Sequence, residues 1–198
     1  MEELVEELTT QRARTDGRHI RENGHDYGKP AFTTLIGAVD LSDAFCKVKH
    51  ASIQRAARRL GTGGNITKLI GSWLWQRTAN VFFAGTLSQT FPQPIGVPQG
   101  SVLGPALFLL VADDLCRALD RALGCTDGVR CRYWLYADDI TITVSGQLRH
   151  MITSAMTKLM AVVASWAADE DIVISPKTKI AVSTGSRKAM GEWTWEPI

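Results

Sequence analysis

The feature that most restricts the fold of this chain is a hairpin in its second half. Arg130–Tyr136 and Ile140–Val144 both read as strands, and the connection between them is very tight and contains Asp138 and Asp139. Ile140, Ile142 and Val144 alternate with Thr141, Thr143 and Ser145. That period of two gives the strand one buried face and one polar face. A ribbon of this kind must lay its apolar face on other elements, so helices are needed to cover it.

The rest of the chain supplies them. Phe32–Val39 is apolar and β-branched, as in a buried strand, and it ends at Asp40. Helices are expected near 49–60 and 65–77, separated by Gly61-Thr62-Gly63-Gly64. Val81–Ala84 and Leu87–Phe91 pattern as a short hairpin around Gly85, and Pro92, Pro94 and Pro98 exclude helix beyond it. A long apolar helix follows from Pro105 to Leu123, with the proline in the first turn, where its missing N–H costs nothing. A helix over 147–168 carries Leu148, Ile152, Ala155, Met156, Leu159, Met160, Val163 and Trp166 at three-to-four spacing. Ile172–Ile174 and Ile180–Val182 read as short strands. Glu2–Leu8 has helical spacing, and 11–30 reads as a polar, Gly-containing loop. The order predicts an α+β fold, an antiparallel sheet backed by helices. One domain over 31–185 is expected, preceded by a helix and loop at 1–30 and followed by a tail at 186–198.

The 198 residues are enough for a real core. A net charge of +2 does not announce a nucleic-acid binder, but Arg55, Arg58 and Arg59 cluster in one predicted helix and Arg12, Arg14, Arg18 and Arg21 crowd the N-terminal region. Such clusters either follow a phosphate backbone or form solvated faces. Cys46, Cys116, Cys125 and Cys131 show no CxxC spacing and no His at a zinc interval, and read as reduced thiols of an intracellular protein. The apolar run Ala106–Ala112 is too short to span a bilayer, so no membrane is expected.

Asp40, Asp138 and Asp139 are the residues with chemical potential. Phosphoryl transfer by two metal ions needs carboxylates that converge on a pair of Mg²⁺ about 3.5–4 Å apart. A carboxylate at the end of one strand and a pair on the neighbouring hairpin turn would supply hard oxygen ligands of that kind. If the strands pair, Asp40 and Asp138 face one edge of the sheet. Two adjacent Asp in a turn are weak evidence alone, because Asp bonds its own backbone in turns. Ala112-Asp113-Asp114 repeats the pattern on the polar face of a predicted helix, where no metal is expected.

The ordered set carries more. Val39-Asp40-Leu41-Ser42-Asp43-Ala44-Phe45 resembles the first palm motif of reverse transcriptases. Gly96-Val97-Pro98-Gln99-Gly100-Ser101-Val102-Leu103-Gly104-Pro105 resembles the second, in the form common among non-LTR, LINE-type retrotransposons. Tyr136-Ala137-Asp138-Asp139 resembles the third, and Ser175-Pro176-Lys177-Thr178-Lys179 the fourth. The match extends over roughly residues 32–183. Group II intron and telomerase enzymes share the third motif and differ in the second.

The resemblance implies a polymerase palm with a ferredoxin- or RRM-like sheet. It implies Asp40 and Asp138 as metal ligands with Asp139 beside them, a backbone ligand from Leu41, and Mg²⁺ or Mn²⁺ as the cofactor. Phe45 matches the gate against a ribose 2′-OH. Pro98, Gln99 and Gly100 match the loop that meets nucleotide and template, Tyr136 and Ala137 lie against the primer end, and Lys177 matches a lysine acting on the leaving pyrophosphate. The implied partners are an RNA template, a DNA primer and dNTPs, and the implied place of work is nuclear DNA.

Cys46 stands where the first motif normally has Asp, and Asp43 where it has Lys or Arg. No Gln-x-Gly-Phe-Arg fingers segment, primer-grip Leu-Gly hairpin or thumb is recognisable, so the expectation is a truncated palm with incomplete fingers and no thumb. A protein partner covering its exposed faces is then expected. The alternative is an inactive remnant that binds RNA or protein. No aromatic pair on the predicted strands suits base stacking in that role. A different two-metal enzyme is disfavoured by Pro98-Gln99-Gly100.

Overall fold

The computed structural model of the protein describes residues 33–124, 128–184 and 192–193. Its elements in chain order are β1 (Thr33–Ser42), α1 (Ala44–Lys47), α2 (His50–Arg59), α3 (Gly64–Leu74), β2 (Thr78–Ala79), β3 (Phe82–Phe83), β4 (Thr86–Leu87) and β5 (Phe91–Pro92). Then come α4 (Gly104–Leu123), β6 (Arg130–Tyr136), β7 (Asp139–Gly146), α5 (Arg149–Asp169), β8 (Val173–Ile174), β9 (Lys179–Thr184) and β10 (Glu192–Trp193). The fold is α+β with antiparallel pairing. The chain forms two compact units, one comprising the chain up to Asp40, Arg121–Ala161 and Pro176 onward, the other Leu41–Asp120 and Val162–Ser175.

The first unit is built on the sheet β10-β9-β1-β7-β6, with β1 at its centre. Leu35, Gly37 and Val39 of β1 lie opposite Val144, Ile142 and Ile140 of β7. Opposite residues of an antiparallel ladder project to one face, and this face is the apolar one that the alternation predicts. Helix α5 lies over it: a Cβ on Gly37 would stand 3.5 Å from the Met156 sulfur and 3.7 Å from that of Met160. Glycine at this position lets the helix come close to the sheet. Seven of the eight side chains predicted to face inward on α5 are buried. The eighth, Leu148, is exposed because it precedes the helix and its carbonyl accepts the N–H groups of Met151 and Ile152. By length and composition α5 could cross a membrane, but its apolar side chains are buried within the fold, as in a core helix.

The second unit holds α1 to α3, most of α4, β2 to β5, the end of α5 and β8. Ile53, Ala56 and Ala57 of α2, Ile70 and Leu74 of α3, and Leu107, Phe108, Val111 and Leu115 of α4 are buried. The expected single hairpin around Gly85 is two ribbons. Phe82–Phe83 pairs with Thr86–Leu87, and Thr78–Ala79 pairs with Phe91–Pro92. The inner turn, Ala84-Gly85, has positive φ at both residues, 49° and 81°, which suits a two-residue hairpin loop.

The expected helix at Glu2–Leu8, the polar loop 11–30 and its arginines lie outside the described residues. The expected tail is not all tail, because β10 adds to the sheet edge through Glu192 opposite Ala181 and Trp193 opposite Ile180. A two-residue strand shows no periodicity in sequence and gains its place by pairing with the β9 backbone. Cys46, Cys116 and Cys131 form no disulfide, and Cys125 lies outside the described residues.

Candidate active site

The tight hairpin places the first group of residues. Tyr136 and Asp139 are the closing pair of β6 and β7, so the loop is only Ala137-Asp138. Ala137 adopts φ 54°, the left-handed region in which a two-residue turn matches the twist of its strands. On the other side of β7, Asp139 stands directly opposite Asp40 of β1. The carboxylate that shares a register position with Asp40 is therefore Asp139, and Asp138 occupies the hairpin tip.

Asp40 and Asp139 line one cleft of about 410 Å³ with Ala38, Trp134, Tyr136 and Lys177. The cleft opens on the sheet face opposite α5. The lysine arrives through the turn after β8: the Asp40 N–H donates to Thr178 Oγ1 at 3.4 Å, which ties that turn to the end of β1. Asp40 is half-buried, and Asp139 and Lys177 are exposed. Among the described residues none of Asp40, Asp138 and Asp139 is in an ion pair. No group of three or more His, Cys, Asp or Glu is gathered to hold a metal there either. Two like charges directly opposite on a ladder are unfavourable, so a cation between them would relieve repulsion. Their hard oxygens fit an Mg²⁺-type ion, which takes few protein carboxylates.

Trp134 was not anticipated. It sits two residues before Tyr136, so the two rings share one face of β6, and both line the carboxylate cleft. The sequence does contain an aromatic pair on a strand. Its i, i+2 spacing in Tyr133-Trp134-Leu135-Tyr136 lies within a run of apolar residues that reads as core in sequence.

The second group belongs to the other unit. Leu41 is buried and pairs with Ile174 of β8. Phe45 is half-buried and packs on Phe108 with ring centroids 4.9 Å apart. The segment Gly96–Gly104 is strapped beside it: Val97 N–H donates to the Phe45 carbonyl at 2.7 Å and Gly96 N–H to that of Val48 at 2.8 Å. His50 Nε2 donates to the Gly96 carbonyl at 2.8 Å. Gly96 has φ 79°, and a Cβ there would lie 2.3 Å from the Cys46 carbonyl oxygen, so only glycine fits. In sequence Gly96 stands only as the first residue of the second motif and His50 carries no signal, because the close approach is tertiary.

Gln99 and Gly100 are exposed, and Gly100 has φ 80° with open space where a side chain would be. Ser101 precedes α4, and its Oγ accepts the N–H of the first helical residue, Gly104, at 2.9 Å. The second Asp pair, Asp113-Asp114, is bound internally. Asp113 accepts from Arg59 at 2.8 Å and Arg117 at 2.7 Å, and Asp114 pairs with Arg59. The hydrogen bond from Arg117, then that from Arg59, holds the Asp113 carboxyl below its usual value.

Comparison with known proteins bears on both groups. The sequence profile described as "Reverse transcriptase (RNA-dependent DNA polymerase)" matches residues 6–193. The RNA-directed DNA polymerase from mobile element jockey of Drosophila melanogaster is 28% identical over 153 residues, 77% of this chain and 16% of that protein. The putative 115 kDa protein of the type-1 retrotransposable element R1DM from the same organism is 28% identical over 85% of this chain and 15% of its own length. The chain thus spans about a sixth of these relatives. A solved apo telomerase from Candida tropicalis, truncated from its C-terminal domain, superposes with a TM-score of 0.60 at 10% identity over 97% of this chain and 37% of that one, a likeness of fold. With the profile matched over nearly the whole length, this chain belongs to the reverse transcriptase (RNA-dependent DNA polymerase) family.

Proposed function

We propose that the Asp40–Asp139 cleft is the nucleotidyl-transfer site of an RNA-directed DNA polymerase palm. The observation that carries this reading is the register: Asp40 of β1 faces Asp139 across the ladder at the mouth of a two-residue hairpin. Neither carboxylate is in an ion pair among the described residues. Family membership supports the choice of reaction, and the jockey relative is named for that activity.

Asp40 and Asp139, with Asp138 at the tip, would hold divalent ions. Bound there, the metal supplies Lewis-acid stabilisation of charge on the phosphate oxygens. The chain's own residues then position the substrates, and positioning of this kind can supply roughly 7–11 kcal/mol of a barrier reduction. Tyr136 and Trp134 offer aromatic faces to the primer end beside the carboxylates. Lys177 carries a positive charge on the same cleft, placed to neutralise the leaving pyrophosphate. Gly100 gives a nucleotide or template strand close access to backbone at Gln99 and Pro98. Phe45, fixed by Phe108, would act as the wall that rejects a ribose 2′-OH. Leu41 would contribute through its backbone.

The test is incorporation of dTTP on poly(rA)/oligo(dT) with Mg²⁺ or Mn²⁺. The reading expects extension that stops when the metal is chelated. Extension that survives chelation, or no extension under any metal condition, overturns it.

A further inference from the structure

The sequence contains three arginines within Arg55–Arg59, and the structure separates them. Arg55 donates to Glu170 and to Ser52 Oγ, each at 3.0 Å, and Arg59 is held by Asp113 and Asp114. Arg58 differs. With Gln54 one turn before it, Arg58 forms one wall of a cleft of about 530 Å³ between α2 and α3. Lys68 and Gly71 of α3 form the other wall. Gly71 leaves space beside the Gln54 amide, whose nitrogen would lie 3.8 Å from a Cβ there. Among the described residues the side chains of Gln54, Arg58 and Lys68 make no hydrogen bond or ion pair, and no acid lines the cleft.

The end of α2 already explains one cation, since Arg58 in its last turn complements the helix dipole. It does not explain Lys68, in the middle of α3, sharing the same cleft. Two positive charges that share a cleft with no countercharge repel each other, and a bound anion reverses the sign of that interaction. Arginine and lysine offer only donors, and the Gln54 amide adds more. Guanidinium and ammonium groups favour phosphate oxygens. Both cationic side chains are exposed and the cleft is open, which suits a strand carrying successive phosphates better than an enclosed small ion.

We propose that the α2–α3 cleft, in the second unit, binds the sugar–phosphate backbone of a nucleic-acid strand through Arg58 and Lys68, without reading its sequence. Binding is measured without catalysis, so failure of the proposed polymerase activity leaves this test intact. The experiment titrates the protein with a fluorescent single-stranded oligonucleotide between about 50 and 200 mM salt, where each phosphate contact contributes about 0.7 to the slope for single strands. The variants are Arg58→Ala/Lys68→Ala and, as a control, the exposed Lys158→Ala. The double variant is expected to lower the log–log slope by about 1.4, which near 0.1 M salt corresponds to roughly 25-fold weaker binding. Lys158→Ala is expected to retain wild-type affinity. Circular dichroism and thermal melting matching wild type establish that the double variant is folded, and Arg58→Gln/Lys68→Gln replaces it if it is not. Equal slopes for the double variant and Lys158→Ala overturn the proposal. So does loss of inorganic phosphate binding with unchanged oligonucleotide affinity, which would make the cleft a site for free phosphate.

Discussion

At the scale of single residues, the second motif is explained by Gly96 and Ser101 as much as by Pro98, Gln99 and Gly100. Gly96 has positive φ and touches the Cys46 carbonyl, so Gly96→Ala introduces both strain and a clash. The cost of such a forced conformation is about 1–3 kcal/mol. A lowered urea midpoint with an unchanged slope is the expected outcome, and a midpoint equal to wild type contradicts it. Asp40, Asp138 and Asp139 were legible in the sequence because carboxylates at a strand end and in a tight turn stand out against apolar runs. Which hairpin carboxylate lies opposite Asp40 was not legible. Register depends on the residue count of the turn, and the two-residue loop Ala137-Asp138 gives the place to Asp139. Trp134 was missed because a strand aromatic reads as core until its neighbours are known.

At the scale of elements, β7 and α4 were legible almost to their ends, since alternation and a Pro in the first helical turn mark them well. The ribbon β2–β5 was not. Its two-residue strands pair across an inner hairpin, and no local period reports such a partner. Asp113-Asp114 shows why a motif must be judged with its element: on α4 those carboxylates face Arg59 of α2 and are consumed as ion pairs. The Asp113 carboxyl is held low, chiefly by the hydrogen bond from Arg117. A depressed carboxyl contributes stability that is present above its unfolded pKa of about 3.9 and is lost as pH falls through the folded value. Asp113→Asn should therefore lower stability at neutral pH, by about 0.2–1 kcal/mol for so solvent-accessible a pair. The difference should vanish well below about pH 3.9. Thermal melts of both proteins across pH check this, and a gap that persists in strong acid would contradict the assignment.

At the scale of the molecule, the family was legible because four motifs occur in order, and spacing across the chain is a stronger signal than any one of them. What lies on the surface was less legible. Phe82 and Phe83 are 71% and 79% exposed, and Trp75, Val81 and Leu87 near them in sequence are exposed too. Exposed apolar groups of this density favour association. The isolated chain is expected to sediment as concentration-dependent assemblies, and Phe82→Ser/Phe83→Ser to shift it toward monomer. A wild-type chain that stays monomeric at all concentrations would contradict this. The central claim, that the carboxylates at the Asp40–Asp139 ladder position do the chemistry, is tested most directly by single-nucleotide incorporation with two sets of carboxylate variants. Asp40→Asn and Asp139→Asn should each reduce the rate at least ~100-fold, the scale of several kcal/mol of lost charge stabilisation. Asp113→Asn/Asp114→Asn should stay within about threefold of wild type, under one kcal/mol of barrier. Incorporation that survives loss of Asp40 and Asp139 but falls with Asp113 and Asp114 would contradict the account.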